Sequence, residues 1–468
     1  MKQAYGKITE QAIAELTAII GKDNVSTKTY ELEDYASDEM PLCHPHNAEV
    51  IVRPVDTASV SKLLAYANEN RLPVTTRGAG TGLSGGCIPI YGGILLSLER
   101  LNSIIEIDSS NFIAITEPAV TLADFCTAVE EQGLYYPIHL GEMTATVGGS
   151  VATNAGGTNA VKYGVTRHHV LGLEAVLPNG DIISTGGKFV KCSTGYDLTQ
   201  LITGSEGTLA VITKILLRLS AGFTKKEVLY VPFNNLQDAI DTVPDILRLK
   251  VTPIGLEFME RSIIEIVEKY LDEELPYHGY EAFLMVLMEG ESSDDIMEYF
   301  AAVEDICKQH GAVDAMVPGS ERARRKLLNA REKFYHAIKR YAPMEIIDIV
   351  VPRSQIAVFV KQVKEISQEF DVPIIAYGHA GDGNVHLHPV CVDNDEAGWR
   401  KKLPEIMRRV YQAGIVLGGS ISGEHGIGFG KKPYLAIEVN QEKLNIMKHI
   451  KRAFDPNNIL NPGKIFDL

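Results

Sequence analysis

The chain has 468 residues, with 45 Lys and Arg against 60 Asp and Glu, a formal net charge of −15 and 45% hydrophobic residues. At roughly 150 residues per domain this implies two or three domains with a sizeable core, which excludes disorder for the bulk. The acidic balance, with no clustered basic run, argues against a nucleic-acid partner, because phosphate affinity needs grouped cations.

The six cysteines (Cys43, Cys87, Cys126, Cys192, Cys307, Cys391) are scattered without a CxxC pair. Neither a disulfide framework nor an iron–sulfur or Cys-type zinc site is indicated, and a reducing cytoplasm is expected. Near the start, Ile13, Leu16, Ile19 and Ile20 fall at helical spacing among charges, without the apolar block of a signal peptide. Residues 143–161 are uncharged but rich in Gly, Thr, Ser and Asn, too polar to enter lipid, so no membrane insertion is expected.

Residues 48–53 read as a strand, Asp56 or Thr57 caps a helix to about Asn70, and 72–76 returns as a strand, a β-α-β opening. Apolar runs at 94–98, 104–107, 113–116, 173–177 and 182–184 continue as strands, with a helix over 122–132 and a hairpin turn at Asn179-Gly180. After Leu219 the texture changes. A strand at 225–231 precedes helical patterns at 235–249, 260–271, 293–310, 320–341, 354–369 and 397–416. The reading is an α+β protein with domains over 1–220 and 221–420 and a C-terminal segment, 421–468, that ends in a turn-rich stretch.

Glycine is unevenly placed. Of 41 glycines, seven lie in 78–93, six in 141–164, three in 378–383 and seven in 414–430. Glycine gathers where backbone takes unusual torsions or approaches a ligand closely. The first window contains a formal GxGxxG, Gly80 to Gly85, directly after a strand. A dinucleotide-binding turn must open a helix there, and Pro89, Gly92 and Gly93 leave no room for one. What remains is a loop of unhindered N–H groups able to nest around phosphate. The second window reads as a loop of the same character, and together they suggest one extended phosphate-containing cofactor.

RGAGTGLSGG (77–86), ATVGGSVATNAGG (145–157), Lys162-Tyr163-Gly164 and GSEGTL (204–209), followed by HAGDGNVH (379–386), SGEHGIG (422–428) and the NPGK tail, resemble the vanillyl-alcohol-oxidase type flavoproteins. The likeness is to the branch of FAD-linked D-2-hydroxyacid dehydrogenases that includes D-lactate dehydrogenase, the glycolate oxidase flavoprotein subunit and D-2-hydroxyglutarate dehydrogenase. It implies a two-subdomain FAD-binding domain, an α+β cap and a C-terminal segment returning near the flavin. It also implies that Arg77, Gly78, Ala79, Gly80, Thr81, Gly82, Leu83 and Ser84 cradle the FAD pyrophosphate. Gly141, Thr144, Gly148, Gly149, Ala152, Thr153, Asn154 and Gly157 would run beside the ribityl chain and isoalloxazine, with Gly207 as a further contact. Some relatives attach flavin through a His in the first loop. This chain has none there, so FAD is expected to be non-covalent.

The histidines can be read from spacing. Residues 374–379 and 385–390 form strands about Asp382-Gly383, a preferred pair for a two-residue turn. That register sets His379 directly opposite His386, with Cβ atoms about 5 Å apart and His388 on the same face. Two neighbouring imidazoles are accounted for by a shared divalent cation, with Glu424 as the best completing carboxylate; structural hydrogen-bonded histidines are the alternative. In the relatives the matching two His and Glu bind a metal, and these ligand types suit Zn, Fe or Mn alike.

Oxidising a 2-hydroxy acid removes a proton from oxygen and a hydride from C2. His425, beside Glu424, is the expected base. Arg331 matches a substrate-carboxylate Arg in the relatives, although most charges on its helix suit a solvated face; Asn384 and His388 are weaker substrate contacts. D-lactate is the favoured substrate, ahead of glycolate and D-2-hydroxyglutarate. With no cluster ligands in the chain, reduced flavin must pass its electrons to another protein, a quinone at a membrane surface or oxygen, and the lack of a basic or amphipathic membrane patch favours a protein. The resemblance points to an electron-transferring flavoprotein, as in electron-bifurcating lactate dehydrogenases. Two other classes stay open, a flavin-free two-His-one-carboxylate metalloenzyme and a non-catalytic electron-relay flavoprotein subunit.

Overall fold

The computed structural model describes residues 5–223, 225–393 and 395–468. The chain divides into two compact units. The first holds the residues up to Ala155, Val165–Gly222 and Glu424–Leu468; the second holds Gly156–Gly164 and Phe223–Gly423.

In the first unit β1 (Val25–Ser26), β2 (Val50–Val52), β3 (Val74–Arg77) and β4 (Ile94–Ser97) form a sheet of order β1-β2-β4-β3. Both β2 and β3 run parallel to β4. Parallel pairing needs a crossover, and the helix Thr57–Glu69 supplies it between β2 and β3. Asp56 starts that helix by accepting the Ser59 N–H at 2.7 Å, and Val60, Leu63, Leu64 and Ala67 bury its inner face. Between β3 and β4 there is no helix, only the glycine loop.

The rest of this unit's strands are β5 (Ile104–Asp108), β6 (Ile113–Thr116), β7 (Leu134–Tyr135), β8 (Val170–Val176), β9 (Ile182–Gly186), β10 (Val211–Arg218) and β11 (Ser220–Ala221). They make an antiparallel sheet, β5-β6-β10-β8-β9, and a small ladder, β11-β7. Phe125 and Val129 of the helix Leu122–Glu131 share a core with Leu173, Ala175, Ile215 and Leu217.

The second glycine window is not a loop throughout. Val147–Thr153 is a short helix whose cap, Thr146, accepts the Gly149 N–H at 3.1 Å. Val147 and Val151, one turn apart, are both fully buried. That spacing and the capping threonine outweigh the low helix propensity of the two glycines.

The second unit is built on β12 (Lys225–Phe233), β13 (Gly255–Glu260), β14 (Ala282–Gly290), β15 (Ile347–Val350), β16 (Ile374–His379) and β17 (Asn384–Pro389). All neighbours are antiparallel in the order β12-β14-β13-β16-β17-β15. On one face Tyr230, Met259, Phe283, Met285 and Tyr377 pack with Ile263, Val267, Phe334 and Ile338 of the helices Arg261–Leu271 and Phe334–Tyr341. Two expected helices are interrupted. The pattern at 320–341 divides at Lys333, and that at 235–249 becomes Leu236–Asp241 and Val243–Leu247, where Pro244 lacks the N–H a continuous helix would use.

The β16–β17 register also differs from expectation. His379 pairs with Asn384, and His386 with Tyr377. The His379 carbonyl accepts both Asp382 N at 3.3 Å and Gly383 N at 3.0 Å, while Gly381 N donates to Leu256 O of β13 at 3.0 Å. A four-residue connection, 380–383, replaces the two-residue turn because the neighbouring strand captures its backbone.

Candidate active site

In the first unit three separated motifs meet around the glycine loop. Arg77, last in β3, donates from Nη1 to Ser37 O at 2.7 Å and lies 3.3 Å from Cys87 Sγ, with its guanidinium 5.2 Å from the Tyr35 ring centroid. A Cβ added to Gly78 would come within 2.5 Å of Thr146 Oγ1, so the first window lies against the cap of the 147–153 helix. At that helix's other end Gly204 N and Glu206 N donate to Val151 O and Ala152 O at 2.9 and 2.8 Å, and Asn154 Oδ1 accepts from Arg167 N.

Glu206, buried and with φ of 53°, turns its carboxylate to the Ile427 and Gly428 N–H groups at 2.8 and 2.6 Å. Burial pushes its pKa up against those two hydrogen bonds. Ser84 Oγ donates to the His425 and Gly426 carbonyls at 3.0 and 3.1 Å. The segment carrying Glu424 and His425 is thereby tied to both the loop and the GSEG motif. Glu424 Oε1 and His425 Nε2 lie 3.8 Å apart.

The loop fits an anionic, extended cofactor. Among the described residues, no backbone N–H of 78–86 donates to another group of the protein. Such a run of undirected donors suits phosphate oxygens. Thr144 is bound to Glu142 Oε1, Gly141 is open on its Cα side, and Gly207 has φ of 68°. Gly157 falls in the excursion grouped with the second unit. Burial pushes the Cys87 thiol up to about 11, against the pull of Arg77, so it is protonated at neutral pH.

In the second unit the ladder places the histidines. One rung across the sheet reads Met285, Glu257, His379, Asn384, Val350; the next but one reads Phe283, Met259, Tyr377, His386, Asp348. All these side chains share one face. His379 and His386 are thus diagonal rather than opposite, with rings 5.2 Å apart and Nε2 atoms 3.4 Å apart. A register slip of two residues preserves the face, which is why the pair survives the altered turn. His388 Nε2 lies 3.2 Å from Tyr377 Oη.

Each histidine has a buried acid on the flanking strand. Glu257 Oε1 lies 2.7 Å from His379 Nδ1, and its Oε2 accepts from Arg331 Nε at 2.8 Å and Nη2 at 2.6 Å. Burial raises the Glu257 pKa, and His379 and Arg331 outweigh it, holding the carboxyl below its usual range. Asp348 has an oxygen within 4.8 Å of a His386 ring nitrogen. It also accepts from Asn384 Nδ2 at 2.7 Å, Ser422 Oγ at 3.0 Å and Gly423 N at 3.0 Å, anchoring the residues just before Glu424.

The donor chemistry fits a divalent cation. With Nδ1 of His379 beside a carboxylate, Nε2 is the ring nitrogen that would face a metal. Arg331 differs from its helix neighbours. Its side chain is 14% exposed, that of Arg325 77%. Because Nε and Nη2 are committed to Glu257, Nη1 is the donor left for a further anion. Asn384 Oδ1 is buried and accepts no hydrogen bond among the described residues.

Sequence reasoning missed Glu257, Asp348 and the role of Glu206. A signal existed for the first two. Each is an acid inside an otherwise apolar strand, GLEFM and IIDIV, and such an acid must find partners. Among the described residues no helix is long and apolar enough to cross a membrane.

A family model described as FAD binding domain matches residues 48–186, and one described as FAD linked oxidases, C-terminal domain, matches residues 224–465. The chain is 43% identical over 434 residues to a D-lactate dehydrogenase of Archaeoglobus fulgidus, covering 92% of this chain and 95% of that one. It is 38% identical over 464 residues to the glycolate oxidase subunit GlcD of Bacillus subtilis, covering 98% and 97%. Among solved structures, 4-ethylphenol oxidase from Gulosibacter chungangensis superposes with a TM-score of 0.81 at 20% identity, covering 99% of each chain, a likeness of fold.

Proposed function

The chain belongs to the FAD-linked oxidases, an oxidoreductase family, with an α+β fold of the vanillyl-alcohol-oxidase type, and on that premise we propose that it oxidises a D-2-hydroxy acid, D-lactate first, to the 2-oxo acid. The names of its relatives support a small hydroxy acid, with glycolate and D-2-hydroxyglutarate as alternatives. FAD is held non-covalently by Arg77 to Ser84 and the second window, and His379, His386 and Glu424 hold one divalent ion. The observation that carries this reading is the pair of Nε2 atoms 3.4 Å apart in a chain with a flavin-binding domain.

When bound, FAD supplies a hydride acceptor at N5, and Zn, Fe or Mn supplies Lewis acidity that eases loss of the hydroxyl proton. His425 takes that proton on its imidazole, and Glu424 Oε1, 3.8 Å from its Nε2, stabilises the cation formed. Arg331 offers Nη1 to the substrate carboxylate, and Asn384 and His388 are weaker substrate contacts. The dispersed cysteines provide no cluster, so the electrons must leave the chain, and a protein acceptor is favoured over a quinone or oxygen. An electron-transferring flavoprotein is the acceptor we favour, with bifurcation to NAD as its elaboration.

The test is an anaerobic panel of D- and L-lactate, glycolate and D-2-hydroxyglutarate, read by bleaching of the flavin's visible absorption. D-lactate should bleach fastest, and His425→Ala should abolish bleaching with FAD still bound. No bleaching by any 2-hydroxy acid rejects the reading. Purified protein with metal and no flavin would favour the flavin-free metalloenzyme.

A further inference from the structure

Glu257 occupies the middle of β13, a central strand, and is fully buried. A carboxylate there is retained only against strong partners, because a desolvated charge left unpaired is strongly destabilising. A structural Arg–Glu pair would be complete with Arg331 on Oε2 alone. Instead the two oxygens are divided, Oε2 to Arg331 and Oε1 to His379 Nδ1 at 2.7 Å. The direct cross-strand pairing of Glu257 with His379 builds that contact into the ladder. An acceptor at Nδ1 decides which ring nitrogen carries the proton. Nδ1–H donates to Glu257, and Nε2 is left with its lone pair 3.4 Å from His386 Nε2. Stacking of the Arg331 guanidinium over Phe334 and Tyr377, at 5.3 and 5.0 Å from their ring centroids, fixes the other side of the carboxylate.

We propose that Glu257 is a positioning residue. It sets His379 in the Nδ1–H tautomer, presents Nε2 to the divalent ion, and ties that ligand to Arg331 through one shared anion. The proposal rests on the reading of His379 and His386 as cation ligands.

The experiment is equilibrium dialysis of chelator-treated, flavin-loaded protein against Zn²⁺, with bound metal measured by mass spectrometry. Glu257→Gln, which preserves shape and removes the charge, should weaken Zn²⁺ binding about 10–100-fold, the usual effect of losing a ligand's hydrogen-bonded carboxylate. Its flavin content and far-UV circular dichroism should match wild type. Wild-type affinity in Glu257→Gln, with binding lost in His386→Ala, overturns the proposal and leaves the ligand reading intact. Wild-type affinity in His386→Ala overturns the ligand reading instead. Should Glu257→Gln not fold, the ¹⁵N resonances of histidine-labelled wild-type protein, with His379 assigned by His379→Gln, decide the matter. The Nδ1–H tautomer upholds the proposal, and Nε2–H refutes it.

Discussion

Replacing Lys451 by methionine tests how the C-terminal tail is held in the first unit. Lys451 and Asp455 are buried, 4% and 0% exposed, so their pairing is not screened as a surface pair is. Nζ donates to Thr208 O at 2.7 Å, Leu460 O at 2.9 Å and Asp455 Oδ2 at 2.5 Å. Asp455 in turn accepts Ile459 N and Leu460 N at 3.0 and 2.8 Å. Methionine fills the stem's space and leaves the carboxylate buried without its cation. Leaving a buried charge without its partner costs about 3–5 kcal/mol. The tail this pair organises runs beside β3, with Val74 N donating to Ile459 O and Asn461 N to Val74 O, at 2.8 and 2.7 Å. Hydrogen exchange at 455–464 should therefore accelerate together with the loss of stability in urea unfolding. Lys451→Met/Asp455→Asn should recover much of the loss, since asparagine still accepts the two N–H groups without a buried charge. A single-variant loss below about 1 kcal/mol, the scale of an exposed pair, would refute the reasoning. So would a double variant weaker than either single.

Burial pushes Asp38 up to about 6, against the Met40 N–H and Arg77 that favour its charge. The folded state therefore holds a proton that the unfolded chain has released, so this group's stabilisation is full below about pH 4 and is lost as pH rises through about 6. Relative to wild type, Asp38→Asn should gain up to about 3 kcal/mol between pH 4 and 7, read by urea unfolding, and a pH-independent difference would contradict this. Gly383 has φ of 95°, and a Cβ there would lie 2.1 Å from Val351 O. Gly383→Ala must shift the backbone just before Asn384, at a cost of about 1–3 kcal/mol, and bound Zn²⁺ should fall with it. Unchanged melting and metal content in that variant would show that the turn does not position the ladder.

The β-α-β opening was legible because its signals are local, a capping Asp56 and a helical stripe from Val60 to Ala67. The helix at 147–153 was concealed by glycines that a capping threonine and two buried valines override. The hairpin turn was misjudged for the opposite reason. Asp382-Gly383 carries a strong local preference, and the competing bond, Gly381 N to Leu256 O, comes from a strand more than a hundred residues earlier. The face of His379 and His386 was nonetheless readable, because alternation along a strand does not depend on which turn closes it.

Arg331 shows where such reading stops and what replaces it. Its charge alone could not distinguish it from Arg322, Arg324, Arg325 and Arg340 on the same sequence stretch. What distinguishes it is Glu257, and Glu257 becomes its partner only once β13 lies beside β16 in the sheet order. Asp348 reaches His386 by the same logic, through β15 beside β17. In both cases an acid in an apolar strand announces that a partner exists, and strand order names it. The histidine spacing marks the proposed ligands, while of the two flanking acids Glu257 lies at His379 Nδ1 and Asp348 holds Gly423, the residue before Glu424, in place. A search for sites of this kind in sequence is therefore better aimed at isolated acids in central strands, read together with a histidine hairpin, than at the histidines alone.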